Sequence, residues 1–255
     1  GWSSAATIGS VGGGLVLLAA SVRRALSHPA PALETSLWRN RMFAAANFTS
    51  LVIGAAVYTW LLLCVLFLTN VWHYSVLKAG LAVSPGAFTS AAAAIASGRV
   101  MAVRGPRPVV IGGALLLGVV GAWCAVALGT HPNFLTFWGP AGATAGVAMG
   151  AAMTGSGAAA ATSVSSARFA AGTGLNMTAR QLGGALGIAT LAAILTAQGP
   201  TVAAFRDVFL FCTGAAVVAS LCAVGLAPAR SASAAGAGLA DRDGRRASVA
   251  PAHLT

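Results

Sequence analysis

Long apolar segments separated by short polar stretches make up most of this chain. Each apolar segment has roughly 16–27 residues, and a helix needs about 20 residues to cross the hydrocarbon core of a bilayer. The pattern predicts seven transmembrane helices, at 5–20, 44–69, 79–98, 109–129, 135–161, 171–197 and 207–227. No segment shows the alternation of apolar and polar residues that a membrane β-barrel requires. We therefore predict an all-α, polytopic helical membrane protein.

The composition supports a membrane environment. Hydrophobic residues make up 57% of the chain and charged residues only 7%, whereas a soluble domain carries about 25% charged residues. There is too little charge here to cover a soluble surface. The third and fifth segments are the least apolar, because Ala, Gly, Ser and Thr dilute them, and such small residues are typical of contacts between membrane helices.

The positive charges are distributed unevenly between the two sides of the predicted membrane. Of the 15 Lys and Arg residues, twelve lie in 21–43, 98–108, 162–170 or after 228. Lys78 and Arg206 lie on the opposite side. The positive-inside rule makes the side rich in arginine cytoplasmic, which predicts a plasma-membrane protein with a cytoplasmic carboxy-terminal tail. The net charge of +11 thus predicts orientation in a lipid bilayer, not nucleic-acid binding.

One cation, Arg180, lies inside the otherwise uncharged stretch 171–187. A guanidinium inside a bilayer costs several kcal/mol unless it is paired or solvated, so this residue is a candidate functional site. It can extend toward the cytoplasmic headgroups, or it can face the bundle interior and meet an acid or an anionic ligand. No Asp or Glu lies in the interior of any predicted span, and Asp207 is at the outer edge of the seventh. The candidate residues for a cavity or helix seam are Asn47, Tyr58, Asn176, Thr178, Arg180 and Gln181.

Two sets of glycines repeat every four residues. Gly142, Gly146 and Gly150 share one face of the fifth predicted helix, and Gly183 and Gly187 share one face of the sixth. Such spacing allows close helix packing. Either the contacts are static, or they slide beside a substrate cavity.

The sequence lacks the motifs that several other classes of function require. Nothing matches a nucleotide-binding loop, and no metal-ligand or nucleophile constellation is present. We therefore expect no enzyme, no cofactor and no bound metal. The aromatic residues of the two outer loops predict an interfacial belt; they are Trp72, Tyr74, Phe134, Phe137 and Trp138.

Three stretches carry a resemblance to a known family. They are the proline-containing 27–43, the segment 78–86 with the arginines that follow it, and 176–187, which contains Arg180 and is the most specific. The chain resembles the carboxy-terminal half of the fourteen-span drug:proton antiporters, the EmrB/QacA branch of the major facilitator superfamily. The resemblance extends to about residue 228.

The resemblance implies an organisation and an activity. Residues 1–43 would form an extra central transmembrane helix with its cytoplasmic linker, 44–228 the carboxy-terminal six-helix half, and 229–255 a disordered cytoplasmic tail. The family exports small lipophilic drugs or natural products in exchange for protons by alternating access. The protons would pass through the amino-terminal half. A cytoplasmic loop motif would comprise Gly98, Arg99, Arg104, Gly105 and Arg107, with Ala102 where the family has an acid.

Alternative functions remain open. A non-transporting membrane subunit, or a truncated half-transporter, would act only by binding a partner membrane protein. A receptor-like seven-helix protein is disfavoured by the short loops and the glycine stripes. The chain starts at Gly1 without an initiator Met, so we expect it to be part of a longer polypeptide. Because the family's membrane-embedded acids belong mainly to its amino-terminal half, we also expect this chain to transport nothing by itself.

Overall fold

Six long helices make up most of residues 35–226. The computed structural model describes residues 9, 12–14, 16–17, 19–20, 23–24 and 35–226. The long helices are α1 (Arg41–Asn70), α2 (Val76–Arg104), α3 (Pro106–Ala127), α4 (Gly139–Thr162), α5 (Phe169–Gln198) and α6 (Val202–Val224). Short 3-10 helices at Thr35–Arg39 and Ser166–Arg168 and a π-helical turn at Phe134–Trp138 complete the described elements. No strand occurs among the described residues, and the all-α prediction is confirmed.

The helices agree with the second to seventh predicted spans. Five of them are long and apolar enough to cross a membrane: α1, α2, α3, α6, and α5 together with the short turn before it. Helix α4 has 24 residues but is less apolar, so its crossing stays a prediction. Most of the first predicted span lies outside the described residues, although its described members are helical. The predicted tail 229–255 also lies outside them.

Local sequence determines where the helices begin and end. The Asn40 side chain accepts hydrogen bonds from the backbone N–H groups of Met42 and Phe43, which caps α1. Between α2 and α3 the only connecting residue is Gly105, whose φ of 76° is easily adopted only by glycine. Pro106 follows at the first position of α3, where its missing N–H has no cost.

This connection corrects the predicted cytoplasmic loop. Helix α2 does not end near residue 98 but continues to Arg104, so Gly98 and Arg99 are helical and Arg107 lies in the first turn of α3. The physical reason is that no helix-breaking residue occurs between Gly98 and Gly105, and Met, Ala and Arg favour the helix.

The contacts among the helices follow the pattern of an internal repeat. Helix α1 packs on α5 as α4 packs on α2, and α1 packs on α6 as α4 packs on α3. The pairs α1 with α4 and α3 with α6 map onto themselves when α1–α3 are exchanged with α4–α6. Three-helix repeats of inverted topology are a common plan of transporter bundles.

Two helix pairs, α1 with α5 and α2 with α4, pack closely because glycines of one helix lie against backbone carbonyls of the other. A Cβ at Gly183 would collide with the Leu51 carbonyl, and one at Gly54 with the Arg180 carbonyl, so α1 and α5 are in direct backbone contact. In the same way Gly146 lies on the Gly86 carbonyl and Gly150 on that of Ser90, between α4 and α2. Gly187 meets Ala55 and Thr59 of α1. Gly142 differs, because nothing lies within 4 Å of its Cβ position.

The loop aromatics form a core cluster, so the predicted interfacial belt is wrong for most of them. Trp72, Phe137 and Trp138 are buried. The ring of Phe67 stacks on that of Trp138, with centroids 5.5 Å apart, and meets Phe205 edge-on at 5.3 Å. The Trp72 indole N–H donates to the Gly129 carbonyl over 3.1 Å. Since this bond satisfies its polar atom, the indole can leave the interface and close the end of the bundle.

We predict that Gly183→Ala destabilises the bundle. The added methyl group would force α1 and α5 apart, at a cost of about 1–3 kcal/mol, although alanine favours an isolated helix by about 1 kcal/mol. Thermal unfolding in detergent measures the change. The matched control is Gly214→Ala, because nothing lies within 4 Å of the Gly214 Cβ position. Stability of the Gly183 variant at or above that of the control contradicts this packing.

Candidate functional site

A cavity of about 430 Å³ lies among α1, α2 and α4. Helix α1 contributes Trp60 and Cys64, α2 contributes Ser84 and Ser90, and α4 contributes Met149 and Met153, among others. Cys124 of α3 and Phe209 of α6 also line it. A volume of this order is typical of pockets for small ligands.

Two glycines help to keep the cavity open. Gly80 of α2 and Gly142 of α4 both line it, and nothing lies within 4 Å of either Cβ position. On the same helices Gly86 and Gly146 are in close contact and hold α2 against α4. The open Cβ positions of Gly80 and Gly142 thus leave room for a ligand beside the tight α2–α4 contact, whose glycines Gly86 and Gly146 also line the cavity.

The side chain of Arg180 reaches α4. Its backbone contacts Gly54, while one terminal guanidinium nitrogen donates to the Met153 carbonyl over 3.3 Å and to the Asn176 side-chain oxygen over 3.4 Å. The Ser156 hydroxyl donates to the same Met153 carbonyl over 3.2 Å. Arg180 is thus half-buried between α4 and α5.

A polar seam extends from this arginine to α1. Asn176 is buried, and its amide donates to the Ser50 hydroxyl over 2.8 Å. One turn toward the start of α1, the Asn47 amide donates to the Phe43 carbonyl over 2.8 Å, but its side-chain oxygen is buried without a partner among the described residues. The Arg180 Nε is also buried without one. The seam therefore retains unused capacity for hydrogen bonds.

No described carboxylate contacts Arg180. Asp207, at the start of α6, instead accepts a hydrogen bond of 2.8 Å from the Gln198 side chain. The charge is stabilised by carbonyl and amide oxygens, which is the arrangement expected for an arginine that faces other helices rather than lipid headgroups.

The six candidate residues divide into two groups, and none of them lines the cavity. Asn47, Asn176 and Arg180 form the polar seam, and the Tyr58 ring packs beside them against Gly184. Thr178 and Gln181 are exposed on another face of α5, and the Thr178 hydroxyl donates to its own helix at Gly174. The link between the seam and the cavity is Met153, whose carbonyl binds Arg180 while the residue itself lines the cavity.

Sequence reasoning missed several of these residues. Ser50 and the Met153 carbonyl carry no signal in a motif, because their role depends on which helices become neighbours. Gly54 and Gly184 could have been found, since a glycine within an apolar helix often marks a close approach. Both lie on the tight α1–α5 contact.

Comparison with known proteins relates the chain to a class of transporters. Over 186 residues it is 28% identical to a "Multidrug resistance protein B homolog" of Mycobacterium tuberculosis, covering 72% of this chain and 34% of that protein. Over 116 residues it is 28% identical to an "Uncharacterized MFS-type transporter YhcA" of Bacillus subtilis, covering 46% of this chain and 22% of that protein. No family model matches the chain. The match spans about a third of the first relative and about a fifth of the second.

These matches confirm a relationship to multidrug transporters of the major facilitator superfamily, at modest identity. Together with the apolar helices, they identify a multi-pass membrane protein.

We predict that Arg180→Lys reduces transport by a protein that contains this chain by about tenfold. A lysine keeps the charge but loses the planar group that reaches both the Met153 carbonyl and Asn176, and one hydrogen bond to a charged group is worth roughly 1.5–3 kcal/mol. Efflux at equal expression measures the effect. The matched control is Arg39→Lys, at an exposed arginine outside the long helices. Normal efflux by the Arg180 variant would contradict a positioning role for the guanidinium.

Proposed function

We propose that this chain forms the carboxy-terminal half of an exporter for small lipophilic drugs or natural products. Export would be in exchange for protons, by alternating access. The observation that carries the proposal is the apolar cavity among α1, α2 and α4, in a chain whose relatives bear the names of multidrug and MFS-type transporters.

The exposed helix faces support a partner half. Helix α2 buries only Ala79, Ala82 and Ser97, and its large apolar residues Phe88 and Ile95 are exposed. Helix α5 buries mainly small residues against α1 and exposes Leu182 and Leu186. We infer that part of this apolar surface contacts the other half and part contacts lipid.

Alternating access requires the helix pairs to move as units. The glycine contacts hold α1 on α5 and α2 on α4 in direct backbone contact, so each pair can tilt while its own packing persists. Arg180 connects the two pairs through the Met153 carbonyl of α4. A change at the cavity that displaces Met153 would thereby reach α5.

Proton coupling would need ionisable groups deep within the membrane, and the interiors of the described spans contain no Asp, Glu or His. Proton relays in membranes typically use embedded Asp, Glu or His. The histidines His73 and His131 lie in loops, and the described acid Asp207 lies in the second turn of α6, where it accepts a hydrogen bond from Gln198. We infer that the amino-terminal half carries the coupling residues and that this chain alone exports nothing.

The experiment is dye efflux from bacteria that lack their own exporters. We expect cells expressing the complete reading frame that encodes this chain to extrude a lipophilic dye, and a protonophore to abolish extrusion. Cells expressing residues 1–255 alone should retain the dye. Stable expression of the complete protein without extrusion would contradict the exporter. It would favour the alternative of a non-transporting membrane subunit, which co-purification of a partner membrane protein would then support.

A further inference from the structure

The lining of the cavity carries no formal charge. None of the lining residues in the described part of the chain is Asp, Glu, Lys, Arg or His. Its hydroxyl groups are those of Ser84 and Ser90, and the Ser84 hydroxyl already donates to the Leu81 carbonyl over 2.7 Å. The remaining lining groups are aliphatic, aromatic, sulfur-containing or glycine. A cation that entered would lose water without gaining a counter-charge, which is unfavourable.

One lining residue is in direct contact with a positive charge. Arg180 donates to the carbonyl of Met153, which lines the cavity. The described carboxylate, Asp207, lies outside the lining and accepts from Gln198. A bound cation would therefore meet repulsion from the guanidinium, with no carboxylate to oppose it.

Aromatic rings could partly replace the missing counter-charge for a cation, but contacts with other rings limit this attraction. Trp60 meets Phe209 edge-on, with ring centroids 5.0 Å apart, and Trp138 is stacked on Phe67. These contacts occupy part of the ring surfaces. Attraction of a cation to one remaining ring face is smaller than the cost of taking an ammonium group out of water.

We propose that this cavity selects uncharged aromatic or aliphatic groups and discriminates against cations. The inference rests on the proposed export function only in taking the ligand to be the exported compound. It narrows that compound to a neutral molecule, or to one whose neutral part occupies this cavity. Thioether groups of Met149 and Met153 add favourable contacts with an aromatic ring.

The test compares tert-butylbenzene with phenyltrimethylammonium, which have the same shape and differ by one charge. Equilibrium dialysis against nanodiscs that contain the purified chain measures binding of each probe. Gly142→Leu and Gly80→Leu fill the cavity from open Cβ positions, and Gly214→Leu is the control in equally open space outside it. Subtracting the filled variants removes partition into lipid.

We expect saturable binding of the neutral probe to the wild type and to Gly214→Leu, and its loss in both filled variants. The cationic probe should bind at least about tenfold more weakly, which corresponds to about 1.4 kcal/mol. Ser84→Asp, which adds a carboxylate to the lining, should reduce that difference. Equal or tighter binding of the cation, or no saturable binding of either probe, overturns the inference.

The two proposals fail separately. Dye efflux without cavity binding overturns the inference alone, while selective binding by a complete protein that exports nothing overturns only the exporter.

Discussion

The close contact of glycine with backbone carbonyl is the constraint on which this bundle depends. Lipid tails are as apolar as leucine, so burying apolar side chains gives membrane helices little reason to associate. Helices that approach until backbones touch gain dispersion contacts that lipid cannot match. Here Gly54 and Gly183 allow this between α1 and α5, and Gly146 and Gly150 allow it between α2 and α4.

The position of the cavity follows from those two contacts. Because each pair is tight where its glycines meet carbonyls, the space left by Gly80 and Gly142 is not filled by movement of the helices. The aromatic cluster of Phe67, Trp72 and Trp138 closes one end of the bundle. Some glycines therefore hold the helices together, while others leave room for a ligand.

The polar seam connects the cavity-lining residue Met153 to the α1–α5 pair. Arg180, Asn176 and Ser50 form a chain of hydrogen bonds from the Met153 carbonyl to α1. Inside a low-dielectric bundle such bonds are stronger than in water, and unpaired groups are costly. The unused Asn47 oxygen and Arg180 Nε are therefore the places where the seam has most to gain from rearrangement.

Sequence patterns predicted the positions of the helices along the chain better than they predicted which helices pack against one another. Apolar length located α1–α6. The four-residue glycine spacing singled out Gly146, Gly150, Gly183 and Gly187, which lie against backbone atoms of neighbouring helices. The cavity was not predictable, because its lining comes from five helices and depends on how they pair. Trp72 was misplaced at the membrane interface because its position near a helix end does not reveal that the loop folds inward to Gly129.

The most direct measurement is disulfide cross-linking across α1 and α5 in a bilayer. In a protein lacking its four native cysteines, Ser50→Cys and Asn176→Cys place two thiols where the native side chains lie 2.8 Å apart. We predict efficient oxidation of this pair and none of Ser50→Cys with Thr178→Cys, which is exposed on another face of α5. Cross-linking of the second pair but not the first would contradict the seam and the helix pairing built on it.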